Sequence, residues 1–91
     1  MEFEWDNNKA ITNLQKHGVA FAEAATVFGD PLSITFPDPD HSIDESRFVT
    51  IGLSTAGKII ILSHTDRGDR IRIISARKTT RKEQKFYEEG Y

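Results

Sequence analysis

The run Lys58-Ile59-Ile60-Ile61-Leu62 constrains the fold of this chain more than any other segment. Four consecutive aliphatic residues directly after the turn Thr55-Ala56-Gly57 are far too few to cross a membrane and too continuous for a half-exposed strand, so they read as a strand buried on both faces. The strand is therefore expected to be central in its sheet. Phe48 to Leu53 alternates with Val49, Ile51 and Leu53 on one face, and Arg70-Ile71-Arg72-Ile73-Ile74 alternates cation and aliphatic after the turn Arg67-Gly68-Asp69. The three segments make an antiparallel meander.

Upstream the period changes from two to 3.6. Asp6 is placed to cap a helix that carries Ala10, Ile11 and Leu14 and stops at Gly18 after His17. Phe21, Ala24, Ala25 and Phe28 then recur at helical spacing until Gly29-Asp30-Pro31. Glu2 to Trp5 suits a short first strand, and Leu32 to Phe36 a further strand closed by Pro37. Thr80 with Glu83 forms a capping box that opens a C-terminal helix running to about Gly90. The expected order is β-α-α-β-β-β-β-α in a single domain spanning residues 1–91, an α+β fold with a twisted antiparallel sheet flanked by helices.

Composition narrows the chemistry. With no cysteine among 91 residues, disulfides, thiolate zinc sites, iron–sulfur clusters and cysteine nucleophiles are excluded, and the expected compartment is the cytoplasm. The acidic N-terminus and the absence of any long apolar run argue against a signal peptide or membrane span. A net charge of −2 looks unpromising for nucleic acid, but its distribution is uneven: residues 1–66 carry ten acids to four bases, residues 67–85 eight bases to two acids. Arg70 and Arg72 stand about 7 Å apart on one strand face, followed by Arg77, Lys78, Arg81, Lys82 and Lys85. This block reads as a phosphate-binding rim. The plainer reading is a charged edge strand protected against aggregation.

Among the histidines, His17 lines up with Asn13 and Lys9 along the first helix and is the proton-transfer candidate, or else it complements the helix C-terminus as a cation. His64 ends the central strand, either near a ligand or as a structural residue. Asp38, Asp40, His41, Asp44 and Glu45 suggest a divalent-metal loop, but they lack the glycine and spacing of a calcium loop, and the flanking prolines explain a polar turn without an ion. No metal or other cofactor is expected.

The residues Phe3-Glu4-Trp5-Asp6, Lys9, Asn13, Lys16-His17-Gly18-Val19 and Phe21 resemble the BrnT family of toxins of type II toxin–antitoxin systems. The similarity continues through Asp40-His41-Ser42, Arg47-Phe48, Ile71-Arg72-Ile73-Ile74-Ser75-Ala76-Arg77 and Glu83. It spans nearly the whole chain in order, and the KHGV corner with IRIISAR is its most specific part. The resemblance implies a RelE-like fold, metal-independent cleavage of RNA that blocks translation, and a hetero-oligomer with a cognate DNA-binding antitoxin through which alone operator DNA is contacted.

Such cleavage needs a base for the 2′-hydroxyl proton, cations for the phosphorane and an acid for the leaving 5′-oxygen. His17 is the leading base or acid, with Glu83 or Tyr87 as substitutes. Arg72 and Arg77 are expected to hold phosphate, and Lys9, Arg70, Arg81 and Lys82 to bind RNA. A regular last strand would place Arg77 on the face opposite Arg72, so a twist or bulge at Ser75-Ala76 is required to unite them. The alternative function is a non-catalytic interaction module or co-repressor that binds the antitoxin through its basic surface.

Overall fold

A computed structural model describes residues 1–43 and 45–90. Strand β1 (Glu2–Glu4) leads into helix α1 (Asn7–His17), then helix α2 (Phe21–Ala25) and strands β2 (Ile34–Pro37), β3 (Arg47–Leu53), β4 (Ile59–Arg67) and β5 (Arg70–Lys78), with helix α3 (Arg81–Glu89) last. The local signals that start and stop the helices act as the sequence suggests. Asp6 accepts a hydrogen bond from the Lys9 amide at 3.0 Å, and Gly18 ends α1 in a left-handed conformation (φ 69°) that an L side chain would resist. Thr80 and Glu83 bond each other's backbone amides in the capping box that opens α3. The second helix is shorter than its hydrophobic spacing suggests: from Thr26 to Gly29 the backbone tightens into a 3₁₀ turn.

The sheet is open, in the order β1-β5-β4-β3-β2, so β4 with its aliphatic run is central. It is mixed rather than antiparallel. β2, β3, β4 and β5 pair antiparallel, but β1 joins the far side of β5 in parallel, in the register Glu2 to Arg70, Phe3 to Ile71 and Glu4 to Arg72. The register sets unlike charges together: Glu4 receives a 2.8 Å hydrogen bond from Arg72, and Glu2 lies 3.5 Å from Arg70, while Phe3 and Ile71 share the opposite, apolar side. The strand read as a charged edge is thus an interior strand along its first three residues.

One sheet face carries the core. Val19, Phe21, Ala24 and Val27 pack onto Ile60, Leu62, Ile73 and Ala76, each nearly inaccessible to solvent, with Phe3, Trp5 and Phe28 closing the margin. Each of the larger side chains contributes about 1.5–3 kcal/mol by burial, and the two alanines less. Gly52 passes so close beneath this layer that a Cβ there would stand 2.7 Å from Val27 Cγ1, which explains a glycine inside a strand. The other face is covered in part by α3, whose Phe86 meets Phe36 edge-on at 6.3 Å over an apolar groove of about 430 Å³ that Ile51 and Ile61 also line. No helix among the described residues is long and apolar enough to cross a membrane.

Two features depart from the sequence pattern and matter for the site. The buried residue of α1 is Asn13; of its apolar members Ala10 packs part-buried against the core, while Ile11 and Leu14 remain 57% and 51% exposed. Asn13 Nδ2 donates to the carbonyls of Val19 (3.0 Å) and Ala76 (2.8 Å), and Oδ1 accepts from the Ala76 amide (3.1 Å). Beyond Arg72, β5 has no partner strand on that side, and this side chain takes the place of one. The second feature is a bulge. Ser63 pairs with Ser75 but His64 with Ile73, leaving Ile74 as an extra residue that reverses the alternation beyond it. Because Ala76 then faces the core as Ile73 does, Arg77 lies on the same face as Arg72.

Replacing Asn13 by alanine orphans buried backbone groups at Ala76 and Val19. Each left without water costs about 1–3 kcal/mol, so urea unfolding of Asn13→Ala is expected to show a clear loss of stability, whereas Ile11→Ala changes the midpoint little.

Candidate active site

The bulge and the Asn13 clamp act together on the sheet face that α3 leaves open. Asn13 lays α1 beside the end of β5, and Gly18 stops the helix one turn later, so His17 is delivered to the margin of that face. β5 contributes Ser75 and Arg77, β4 contributes Ile61 and Ser63, and Asp38 comes from the turn after β2. These side chains and His17 line one cavity of about 340 Å³. The two residues expected to move protons and hold phosphate, His17 and Arg77, therefore share a site although sixty residues separate them in the chain.

Arg77 is held firmly. Its Nη1 and Nη2 donate to the two carboxylate oxygens of Glu83 at 2.7 and 2.8 Å, and Nη1 also donates to the Lys78 carbonyl at 3.2 Å. This planar fork fixes the guanidinium and still leaves two of its five donors for a ligand.

The remaining expected site residues fall elsewhere. Arg72 is on the correct face but is tied to Glu4 and sits roughly 13 Å along the sheet from Arg77, judged from their partners Thr65 and Ile61 on β4. Arg70 is paired with Glu2 and Glu4. The Tyr87 hydroxyl donates to Asp30, a carboxylate that also accepts from the Leu53 and Leu32 amides, so this pair fastens α3 to the far end of the sheet. That bond, with burial, raises the phenol to about 12. Arg81 is on the exposed side of α3, and Lys82 borders the apolar groove beneath it. Lys9 lines a groove beside α1 that also includes His17 and Ser75.

His64 is a structural residue. It is buried against Phe28 and Phe48, with Nε2 2.7 Å from the Thr50 hydroxyl, and burial lowers its basicity. Asp38 bonds His41 Nδ1 at 2.9 Å, and no group of three metal-ligating side chains converges among the described residues; Asp44 lies outside them. The sequence does not single out Ser63 or Ser75 as site residues, and it marks Asp38 only as a member of the candidate metal loop. The only signal for Ser75 is that it falls where the strand must change face.

Burial raises the cost of ionising Glu83, but the hydrogen bonds from Arg77, foremost, and from Thr80 outweigh it and bring the carboxyl from an ordinary 4.5 down to about 2. A depressed carboxyl stabilises the fold while it is ionised, so this contribution is complete above the unfolded value and is lost as pH falls from about 4.5 to about 2. Glutamine keeps the capping geometry without the charge. Thermal unfolding of Glu83→Gln should therefore lie below the parent near neutrality and converge with it at about pH 2. A constant gap across that range would contradict the assignment.

Residues 5–83 match the family model for the ribonuclease toxin BrnT of type II toxin–antitoxin systems. The fold is similar to the 1.1 Å crystal structure of the Brucella abortus ribonuclease toxin BrnT, with a TM-score of 0.70 and 27% identity over 89% of this chain and 99% of that one. No curated protein sequence matches it. With the family model covering most of its length, including both walls of the cavity that joins His17 to Arg77, the chain belongs to the BrnT family of ribonuclease toxins.

Proposed function

We propose that this chain cleaves RNA without a metal ion, by attack of a 2′-hydroxyl on the adjacent phosphorus, in the cavity between α1 and β5. The observation that carries the reading is that His17 and Arg77 line one cavity, which puts an imidazole and a fixed guanidinium in a single site. His17 takes the 2′-hydroxyl proton or supplies one to the leaving oxygen. The new bond joins the 2′-oxygen to phosphorus, the bond to the 5′-oxygen breaks, and the products are a 2′,3′-cyclic phosphate and a free 5′-hydroxyl. The free donors of Arg77 stabilise the charge that builds on the phosphorane.

Glu83 acts through Arg77 in this scheme. A carboxyl held near 2 is a weak base at neutral pH, but it is an effective anchor for a guanidinium. Tyr87, with its proton committed to Asp30, holds α3 in place, and Arg72 secures β1 through Glu4.

Family membership supports the biological reading: a type II system pairs such a toxin with an antitoxin. We take the antitoxin to be a DNA-binding protein that neutralises the toxin by binding it, the cleaved RNA to be required for translation, the setting to be the cytoplasm and the fold to be related to that of RelE toxins.

A defined RNA incubated with the purified chain and a chelator should yield fragments ending in cyclic phosphate. His17→Ala and Arg77→Ala, shown to be folded, should each slow cleavage by about 10²-fold or more, and Arg72→Ala by far less. Undiminished rates in the first two variants sink the assignment. Binding of RNA or antitoxin by every folded preparation, with no cleavage, would favour the non-catalytic interaction module.

A further inference from the structure

The cavity that His17 and Arg77 line has a neighbour on the α1 side. A second groove, of about 330 Å³, runs along that helix, and Lys9, Thr12 and Lys16 line it together with Ile74. His17 and Ser75 line both spaces, so the groove and the cavity adjoin at these two side chains. Two structural causes place them side by side. β1 ends at Glu4, opposite Arg72, so no strand covers β5 beyond that point, and the bulge at Ile74 turns Ser75 toward the open face.

The charges differ sharply between this route and the arginines of β4 and β5. Arg67, Arg70 and Arg72 each face a carboxylate, from Glu45, Glu2 and Glu4 respectively, whose negative charge opposes a phosphate arriving there. No carboxylate side chain lines the α1 groove, and Lys9 and Lys16 have no ion pair among the described residues. The nearest acid in sequence, Asp6, is engaged by the Lys9 backbone amide as the helix cap. Lys9 and Lys16 stand two helical turns apart, roughly 10 Å along α1, with the Thr12 hydroxyl between them as a further donor.

From this geometry we infer that the RNA reaches the cavity along α1, with Lys9, Thr12 and Lys16 holding phosphates of the flanking nucleotides, and not along the row of Arg70 and Arg72. The inference rests on the ribonuclease reading and assigns that site its substrate path. Lysine contacts of this kind neutralise phosphate without reading bases, so they govern affinity and salt dependence and leave sequence preference to the cavity.

The test compares a twelve-nucleotide RNA with a dinucleotide cut at the same step. In the parent, flanking phosphates give the longer RNA a higher kcat/KM. The Lys9→Ala/Lys16→Ala double variant should lose about tenfold of that advantage, mainly through KM, and its salt dependence should flatten by about 0.7 in log–log slope for each phosphate contact removed. Both lysines are solvent-exposed, so the variant is expected to fold. An unaltered length advantage in the double variant overturns the inference, as does its loss in Arg70→Ala instead. If the parent cuts neither RNA, the ribonuclease reading fails on its own account. Affinity for a 2′-deoxy dodecamer then still decides the path, which stands if the double variant weakens binding more than Arg70→Ala and falls if it does not.

Discussion

The Asn13 side chain is the interaction on which the site depends. Its amide takes the place of a neighbouring strand for Ala76 and at the same time anchors the Val19 carbonyl at the start of the core segment. One residue beyond Ala76 is Arg77, and one turn beyond Asn13 is His17. A single buried amide therefore sets the distance between the helix end and the strand end that form the two walls of the cavity. An apolar side chain at position 13 could bury as much surface, but it could not satisfy the backbone groups of an uncovered strand.

Electrostatics in space differs from electrostatics along the chain. The basic third of the sequence looks like a continuous phosphate-binding surface, but folding brings carboxylates from the acidic part against it. Glu2 and Glu4 flank the arginines of β5, and Glu45 reaches Arg67. Such exposed pairs contribute little stability, about 0–1 kcal/mol each. Their larger effect is on binding, because they offset the charge of Arg67, Arg70 and Arg72 and leave Arg77, held by a carboxylate from its own segment, as the arginine that shares a cavity with His17. The fastening of α3 has a similar logic: Glu83 and Tyr87 attach the two ends of the helix to the sheet by hydrogen bonds, and Phe86 lies over Phe36 between them.

Much of this architecture is legible in the residues because local rules govern it. Asp6, Gly18 and the Thr80–Glu83 capping box mark helix ends through backbone hydrogen bonds that need no distant partner, and four aliphatics in a row specify a central strand through burial alone. The α+β class and the meander of β3, β4 and β5 follow from these. The partnership of β1 with β5 does not. Alternating acids at one end of the chain and alternating cations near the other carry no mark that they will lie in parallel register, and the choice is made when the helices bring the two segments to one place.

For the proposed site, the sequence by itself supplied the candidate side chains, His17 and Arg77 among them, because imidazole and guanidinium are the groups suited to proton transfer and phosphate binding. It also marked Ser75-Ala76 as the place where a twist or bulge is required if Arg72 and Arg77 are to share a face. Only the tertiary structure decided that the break occurs at Ile74, that Arg72 is taken by Glu4, and that the polar line of α1 turns inward at Asn13. The physical reason is common to all three. Each outcome is a competition among long-range partners for a buried hydrogen bond or a charge, and such a competition is settled by which groups the packed core brings within reach.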